Sequence, residues 1–251
     1  MKIRMLGTGY GESKIKKRAL KDFRGKGGVI IDEKILIDAP ADIFDVADEL
    51  GFSDMFNGIC DIIISHSHKG HFSIDSILTL SKHKRVRVFA TDSVLSLIPE
   101  SENIEKIEIF PYITVDLGNY RLLPLAANHE TDNPDEICLN FLISSDKTLF
   151  YALDGGFINI GAEKFLSETK IDAVILDCAL ELQDASAALL YHNNLELANV
   201  IRKILSKNGS NAKVVLSHIP SDRKHSIHDE LSESAEKFNM TVAYDGYFWS
   251  I

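Results

Sequence analysis

Short apolar, β-branched runs alternate along this chain with segments whose apolar positions recur every three or four residues. The runs at 2–6, 28–31 and 35–37 predict strands, since a strand covered on both faces reads as continuously apolar. A helix is predicted over 41–50, closed by Gly51. A strand at 61–65, a helix at 73–82, a strand at 86–90 and a short helix after Asp92 follow. Strand-like runs then cluster at 107–110, 114–117, 120–126, 137–143 and 148–152. The last third alternates again, with helix 162–168, strand 173–176, helix 194–206, strand 213–216 and helix 228–238. A final strand pair is expected around Asp245-Gly246, a hairpin signal. Strands grouped in the middle and flanked by strand–helix alternation predict two facing sheets with helices outside, in one α/β domain spanning 1–251. No solenoid-period repeat or low-complexity linker divides the chain. Gly7, Gly9 and Gly11 lack dinucleotide-fingerprint spacing and read as a flexible turn.

Composition narrows the functional classes. With 251 residues and 45% hydrophobic content, the chain can bury a sizeable core. A net charge of −10 argues against a general nucleic-acid surface, which needs clustered Lys and Arg, and disfavours polymeric nucleic acid as a partner. The basic run from Lys14 to Lys26 reads as a solvated loop; because it joins the first two strands, it could also cover a site there. Cys60, Cys138 and Cys178 are scattered and form no Cys-x-x-Cys pair, so free thiols in a reducing, cytoplasmic setting are expected. The first residues look like a strand rather than a signal peptide, and no apolar run approaches the roughly 18–20 residues that span a bilayer. No membrane partner is expected.

Chemistry concentrates where the run Ile62–Ile64 breaks into Ser65-His66-Ser67-His68-Lys69-Gly70-His71. Alternation along an extended segment sends His66 and His68 the same way. Paired neutral imidazoles suit Zn²⁺ and similar ions, and His71, at the entry to a helix, can aim a third ring back. With nine histidines in the chain, a chance cluster this tight is improbable. Further ligand types follow other strands: Asp38 after 35–37, His129 after 120–126, Asp154 in Leu-Asp-Gly-Gly, and His218 in Leu-Ser-His. One such residue alone would be a turn residue; several at strand ends beside a histidine triplet point to one metal site.

On these residues the chain resembles the metallo-β-lactamase superfamily over essentially its whole length, through Met-Leu-Gly-Thr-Gly, Asp38, the histidine signature, His129, Asp154 and His218. Within it the chain is most similar to the phosphodiesterase branch, which includes a cyclic-phosphate phosphodiesterase and, more distantly, the endonuclease that trims tRNA 3′ ends. His192-Asn193-Asn194-Leu195-Glu196-Leu197-Ala198 and the terminal Val-Ala-Tyr-Asp-Gly carry that narrower likeness. The resemblance implies a four-layer αββα sandwich with a dinuclear site on one edge. His66, His68 and His129 would hold one ion, His71 and His218 the other, with Asp154 bridging them and Asp38 orienting a ligand imidazole. It also implies a metal-dependent hydrolase, with hydroxide generated at the metal attacking a small phosphodiester and His192 protonating the leaving oxygen.

The chain departs from the family pattern at Gly70, where the signature carries Asp. A second ion there keeps fewer anionic ligands, so an unequal pair is expected, with a single ion, or Glu130 or Asp132 as substitute, as alternatives. Zn²⁺ is the expected ion and Mn²⁺ the alternative. Two divalent ions against Asp154 and one hydroxide leave net positive charge, which suits a small anionic substrate; Arg18 and Arg24 are the candidates to bind its phosphate. The competing readings are a thioester or lactone hydrolase on the same fold and a non-catalytic metal- or ligand-binding member; as a protein partner, a homodimer is allowed for. Cys178 has no matched histidine and reads as packing.

Overall fold

The computed structural model describes residues 1–11, 24–184, 190–220 and 228–251, the side chain at 208 excepted. Arg18 and His225 lie outside the described residues. Among the described residues, two seven-stranded sheets face each other. The first sheet uses β1 (Lys2–Gly7), β3 (Gly28–Ile31), β4 (Ile35–Ile37), β5 (Asp61–Ile63), β6 (Val86–Ala90), β7 (Ile104–Glu108) and β16 (Phe248–Ser250). Its order is β16-β1-β3-β4-β5-β6-β7. The second uses β8 (Val115–Asp116), β9 (Arg121–Ala126), β10 (Leu139–Ser144), β11 (Thr148–Ala152), β12 (Ala173–Asp177), β13 (Lys213–Ser217) and β15 (Met240–Val242). Its order is β15-β13-β12-β11-β10-β9-β8.

Strand alternation builds three apolar layers. In β5, Ile63 faces the core between the sheets, with Ile3, Phe141, Tyr151 and Val215. Its neighbours Ile62 and Ile64 face outward, under Ile43 and Ala47 of α1 (Ile43–Glu49), Ile77 of α2 (Ile74–Ser81) and Val94 of α3 (Asp92–Leu95). On the far side, Val174 and Leu176 of β12 pack under α4 (Ile160–Glu168), α5 (Leu195–Leu205) and α6 (His228–Glu236). Fully burying one such Leu or Ile contributes about 1.5–3 kcal/mol, which is what holds helices to sheet here. The result is the expected helix–sheet–sheet–helix sandwich.

Two expectations fail at the chain's punctuation. Asp245-Gly246 does not close a hairpin: β15 and β16 lie on edges of different sheets, and the chain crosses between them. The Asp245 carboxylate is buried and accepts from the amide (2.8 Å) and hydroxyl (2.7 Å) of Thr8 and from the Gly25 amide (2.5 Å). It therefore ties both sheets' ends together instead of turning a strand back. The early glycines are not a flexible turn either. A Cβ at Gly7 would fall 1.7 Å from the Lys26 carbonyl oxygen, and one at Gly9 2.7 Å from that of Arg24, so these positions require close backbone approach. That approach lets β2 (Gly9–Tyr10) pair in parallel with β14 (Ile219–Pro220), beside His218.

Candidate metal centre

Parallel β4 and β5 run in register in one sheet, as do β11, β12 and β13 in the other. Asp38, His66 and His68 follow strands of the first sheet, and His129, Asp154 and His218 follow strands of the second. His71 is placed just before α2, whose first turn is capped by Ser73. Asp38, Asp154 and His218 all take left-handed backbone (φ 59°, 53° and 59°). For non-glycine residues such conformations cost on the order of 1–3 kcal/mol and concentrate at functional sites.

These residues form two groups that share Asp154. His66, His68, His129 and Asp154 form one, and His71, Asp154 and His218 the other; within each group the donor atoms lie within 4.8 Å of one another. In the first group, His68 Nδ1 stands 3.2 Å from His129 Nε2. Asp154 Oδ2 stands 3.4 Å from His66 Nε2 and 3.7 Å from His129 Nε2. Four ligands bonded tetrahedrally at zinc distances are separated by about 3.3 Å, so this group already has a cation's dimensions. The second is tighter, with His71 Nε2 2.9 Å from Oδ2 and His218 Nε2 2.7 Å from Oδ1. His66 Nε2, His71 Nε2, His218 Nε2 and Asp154 Oδ1 are buried and find no hydrogen-bond partner among the described residues. Buried polar atoms are ordinarily satisfied, and converging lone pairs of this kind fit a divalent ion.

A hydrogen-bonded layer behind the ligands fixes their orientation. Asp38 Oδ2 lies 2.7 Å from His71 Nδ1 and accepts from the Tyr151 hydroxyl at 2.7 Å and the Ser65 hydroxyl at 3.0 Å; its other oxygen accepts from the Ser65 amide. Holding Nδ1 in this way leaves Nε2 of His71 to face the site. Burial works against the Asp38 charge, but His71, then His66 and the Ser65 amide, hold its carboxyl below the usual range. Burial pushes His71 down too, yet Asp154 and Asp38 outweigh it and bring its pKa to about 10, so this position favours positive charge. Burial, with neighbouring His71, lowers His66 to about 4. Burial likewise takes His129 to about 3, so both rings stay neutral donors.

Several contributing residues went unrecognised in sequence. Asp177, at the end of β12, joins Asp154 and His192 in a third group. His192 Nδ1 lies 3.3 Å from Asp177 Oδ2 and 3.3 Å from Asp154 Oδ1. Glu136 accepts from the Ser67 amide (2.7 Å) and hydroxyl (2.5 Å), clamping the loop between His66 and His68. Tyr10 packs its ring 4.9 Å from His218 and 5.0 Å from His192. Glu130 instead accepts from the Tyr191 hydroxyl, and neither it nor Asp132 joins any of the three groups. Arg24 does not present its guanidinium to a substrate. It is 6% exposed and spends its donors on the Thr8 hydroxyl, the Ala243 carbonyl and His228 Nδ1. Asn194 caps α5 by accepting from the Leu197 amide, and Cys178 is buried.

The centre opens into a cleft of about 280 Å³ lined by Tyr10, Lys26, Lys69 and Gly70 together with His68, His71, Asp154 and His218. A larger cavity of about 390 Å³ beside Arg4, Phe52 and Phe248 contains no imidazole, so the chemistry belongs to the smaller one. Among the described residues no helix is long and apolar enough to cross a membrane.

No protein-family model and no curated protein matches the chain. Its fold is that of solved metallo-β-lactamase fold proteins. The YhfI protein of Bacillus subtilis matches with TM-score 0.76 at 18% identity, over 99% of this chain and 98% of that one. A diphosphatase of the PhnP family matches with TM-score 0.74 at 18% identity, over 100% and 97%. Zn²⁺-bound PqqB from Methylobacterium extorquens matches with TM-score 0.76 at 15% identity, over the full length of both.

Proposed function

We propose that this protein is a metal-dependent hydrolase that cleaves a small phosphodiester. The observation that carries the reading is the paired donor groups sharing Asp154 with His192 beside them. His66, His68, His129 and Asp154 would hold one ion, and His71, His218 and Asp154 the other. Divalent ions held there would supply Lewis-acid activation of water and charge neutralisation at the phosphate. The likeness to a PhnP-family diphosphatase and to a zinc-bound neighbour supports both the substrate class and Zn²⁺, with Mn²⁺ the alternative.

The protein's own groups divide the remaining work. Burial pushes His192 down, but the carboxylates of Asp154 and Asp177 beside it overcome it and bring the ring to about 10. With Nδ1 held by carboxylates, Nε2 lies on the opposite edge of the ring, free to protonate a leaving oxygen. Asp38, Tyr151 and Ser65 keep the ligand rings from turning. Turnover of bis-p-nitrophenyl phosphate by zinc-loaded protein tests the reading. Cleavage of a thioester or lactone with no phosphodiester turnover would replace it.

The two positions should differ in strength, because the His71–His218 position offers three donors against the other's four, with Asp154 shared between them. Among the described residues, no atom lies within 4 Å of a Cβ added at Gly70. Gly70→Asp is expected to raise bound metal toward two per chain, read by elemental analysis after mild chelation. Equal, full occupancy in the native protein under the same treatment would show that the glycine is no handicap. Stripping the metal should also lower thermal stability. At ion concentrations about 100-fold above Kd, binding contributes about 2.7 kcal/mol, about 5–10 °C in a domain of this size. A melting temperature indifferent to chelator would argue that the groups hold no ion.

A further inference from the structure

The group formed by His66, His68, His129 and Asp154 draws its histidines from loops of different sheets. The loop after β5 carries His66 and His68, and the loop between β9 and β10 carries His129. Chain connectivity alone does not fix the distance between them. A ligating histidine ordinarily has its outer ring nitrogen held by a carboxylate, a carbonyl or water, and His71 follows that rule through Asp38. His68 and His129 do not. Among the described residues, Nε2 of His68 and Nδ1 of His129 find no hydrogen-bond partner. The placing of these two rings therefore depends on the backbone that carries them.

That backbone is gripped by Glu136, which lies in the His129 loop and is 9% exposed. Its Oε1 accepts from the Ser67 amide at 2.7 Å and its Oε2 from the Ser67 hydroxyl at 2.5 Å. The Thr131 hydroxyl lies 3.1 Å from Oε2 and 3.0 Å from the Asn133 carbonyl. One carboxylate thus holds the residue between His66 and His68 together with the residue two beyond His129. Beside it the Leu139 amide donates to the Ser65 carbonyl at 3.1 Å, joining the two sheets at the same place.

We infer that Glu136 is the positioning residue of this metal position: it sets the spacing of His68 and His129 before an ion arrives, and with it the affinity there. Glu136 joins none of the three donor groups, so it acts through the loops and not as a ligand. This rests on the metal assignment above and is independent of the substrate. A clamp needs the carboxylate's hydrogen-bond geometry, whereas a counter-charge needs only its sign. Glutamine separates the two. Its oxygen can accept from the Ser67 amide and its nitrogen can donate to the two hydroxyls, which turn to accept.

Metal-free protein is titrated with Co²⁺ and followed by visible absorption, and Zn²⁺ competition against a chromophoric chelator gives the stepwise dissociation constants. Glu136→Ala is expected to weaken the tighter step by about tenfold or more, the low end of what an outer partner of a ligand contributes. The weaker step should stay as it was, and the absorption of the first Co²⁺ equivalent should fall as solvent enters a loosened four-donor site. Glu136→Gln should return the tighter step to near its native value. Ser67→Ala/Thr131→Val removes the hydroxyl legs, keeps the amide one, and should fall between. Melting of the metal-free forms shows that each variant folds; if Glu136→Ala does not, the double variant carries the test. A tighter step unchanged in the variant tested would overturn the inference and leave the metal assignment standing. Equal losses in Glu136→Ala and Glu136→Gln would make the residue a counter-charge and overturn the clamp. Equal weakening of both steps would mean a general loosening and overturn it as well. Native protein that takes up no Co²⁺ would overturn the metal assignment and the clamp with it.

Discussion

Asp154→Asn is expected to lose the divalent ions from both positions at once, with hydrolysis falling in step. Asparagine is the informative replacement because residue 154 sits at φ 53°, a left-handed conformation that Asn tolerates better than Ala or other bulkier residues. The backbone is then undisturbed and only the charge is removed. The carboxylate is 3% exposed, with one oxygen facing His66, His71 and His129 and the other facing His218 and His192. Burial opposes its charge, yet His218 and His71 hold it well below the usual carboxylate range. Losing a group that merely orients a ligand already weakens metal affinity about 10–100-fold. Removing the one anion common to both groups should cost more than about 100-fold at each. Elemental analysis after dialysis against a weak chelator reads the effect directly, with circular dichroism to show that the fold survives. Retention of two ions per chain would mean that the histidines suffice and that Asp154 has another role.

What was legible in sequence was the part of the site encoded locally. His66, His68 and His71 lie within six residues, and strand alternation alone places the first two together. Asp38, His129, Asp154 and His218 were legible because each breaks an apolar run at a strand end, where the sandwich gathers its loops. The residues that escaped notice act across long sequence separations. Tyr151 reads as one more aromatic position of β11, and only its pairing with Asp38, 113 residues away, reveals the hydroxyl's use. A tyrosine buried in a strand does need a partner for its hydroxyl, so its presence there was a usable signal. Asp177 hid because β12 runs one residue further than its apolar stretch. Glu136 lies in a polar loop with nothing local to mark it, although it grips Ser67 from 69 residues away. Arg24 misled in the opposite direction: a basic run promised an exposed cation, while Thr8, Ala243 and His228 draw this one inside. Asp245-Gly246 misled for a related reason, since turn chemistry cannot say whether the strands on either side share a sheet.

His192→Ala should separate substrates by how badly their leaving groups need a proton. His192 is 13% exposed and stands at the junction of the two carboxylates, 3.3 Å from Asp154 and 3.3 Å from Asp177. The Asn193 amide donates to Asp177 at 2.5 Å, so the carboxylate that steadies the ring is itself fixed. An alkoxide is a poor leaving group in water, and positioned proton donation typically contributes about 10²–10⁴-fold. p-Nitrophenolate departs without a proton, so its release gains little from an acid. The variant should therefore lose about 10²–10⁴-fold on a diester with an alkyl leaving group and far less on bis-p-nitrophenyl phosphate, with bound metal unchanged. Asp177→Asn should reproduce the same selectivity in weaker form, because the ring stays but its proton is held less firmly. Equal losses on the two substrates would remove the acid role and leave His192 as a wall of the site. A loss of metal in His192→Ala would instead make Asp154, His192 and Asp177 a cation position in their own right.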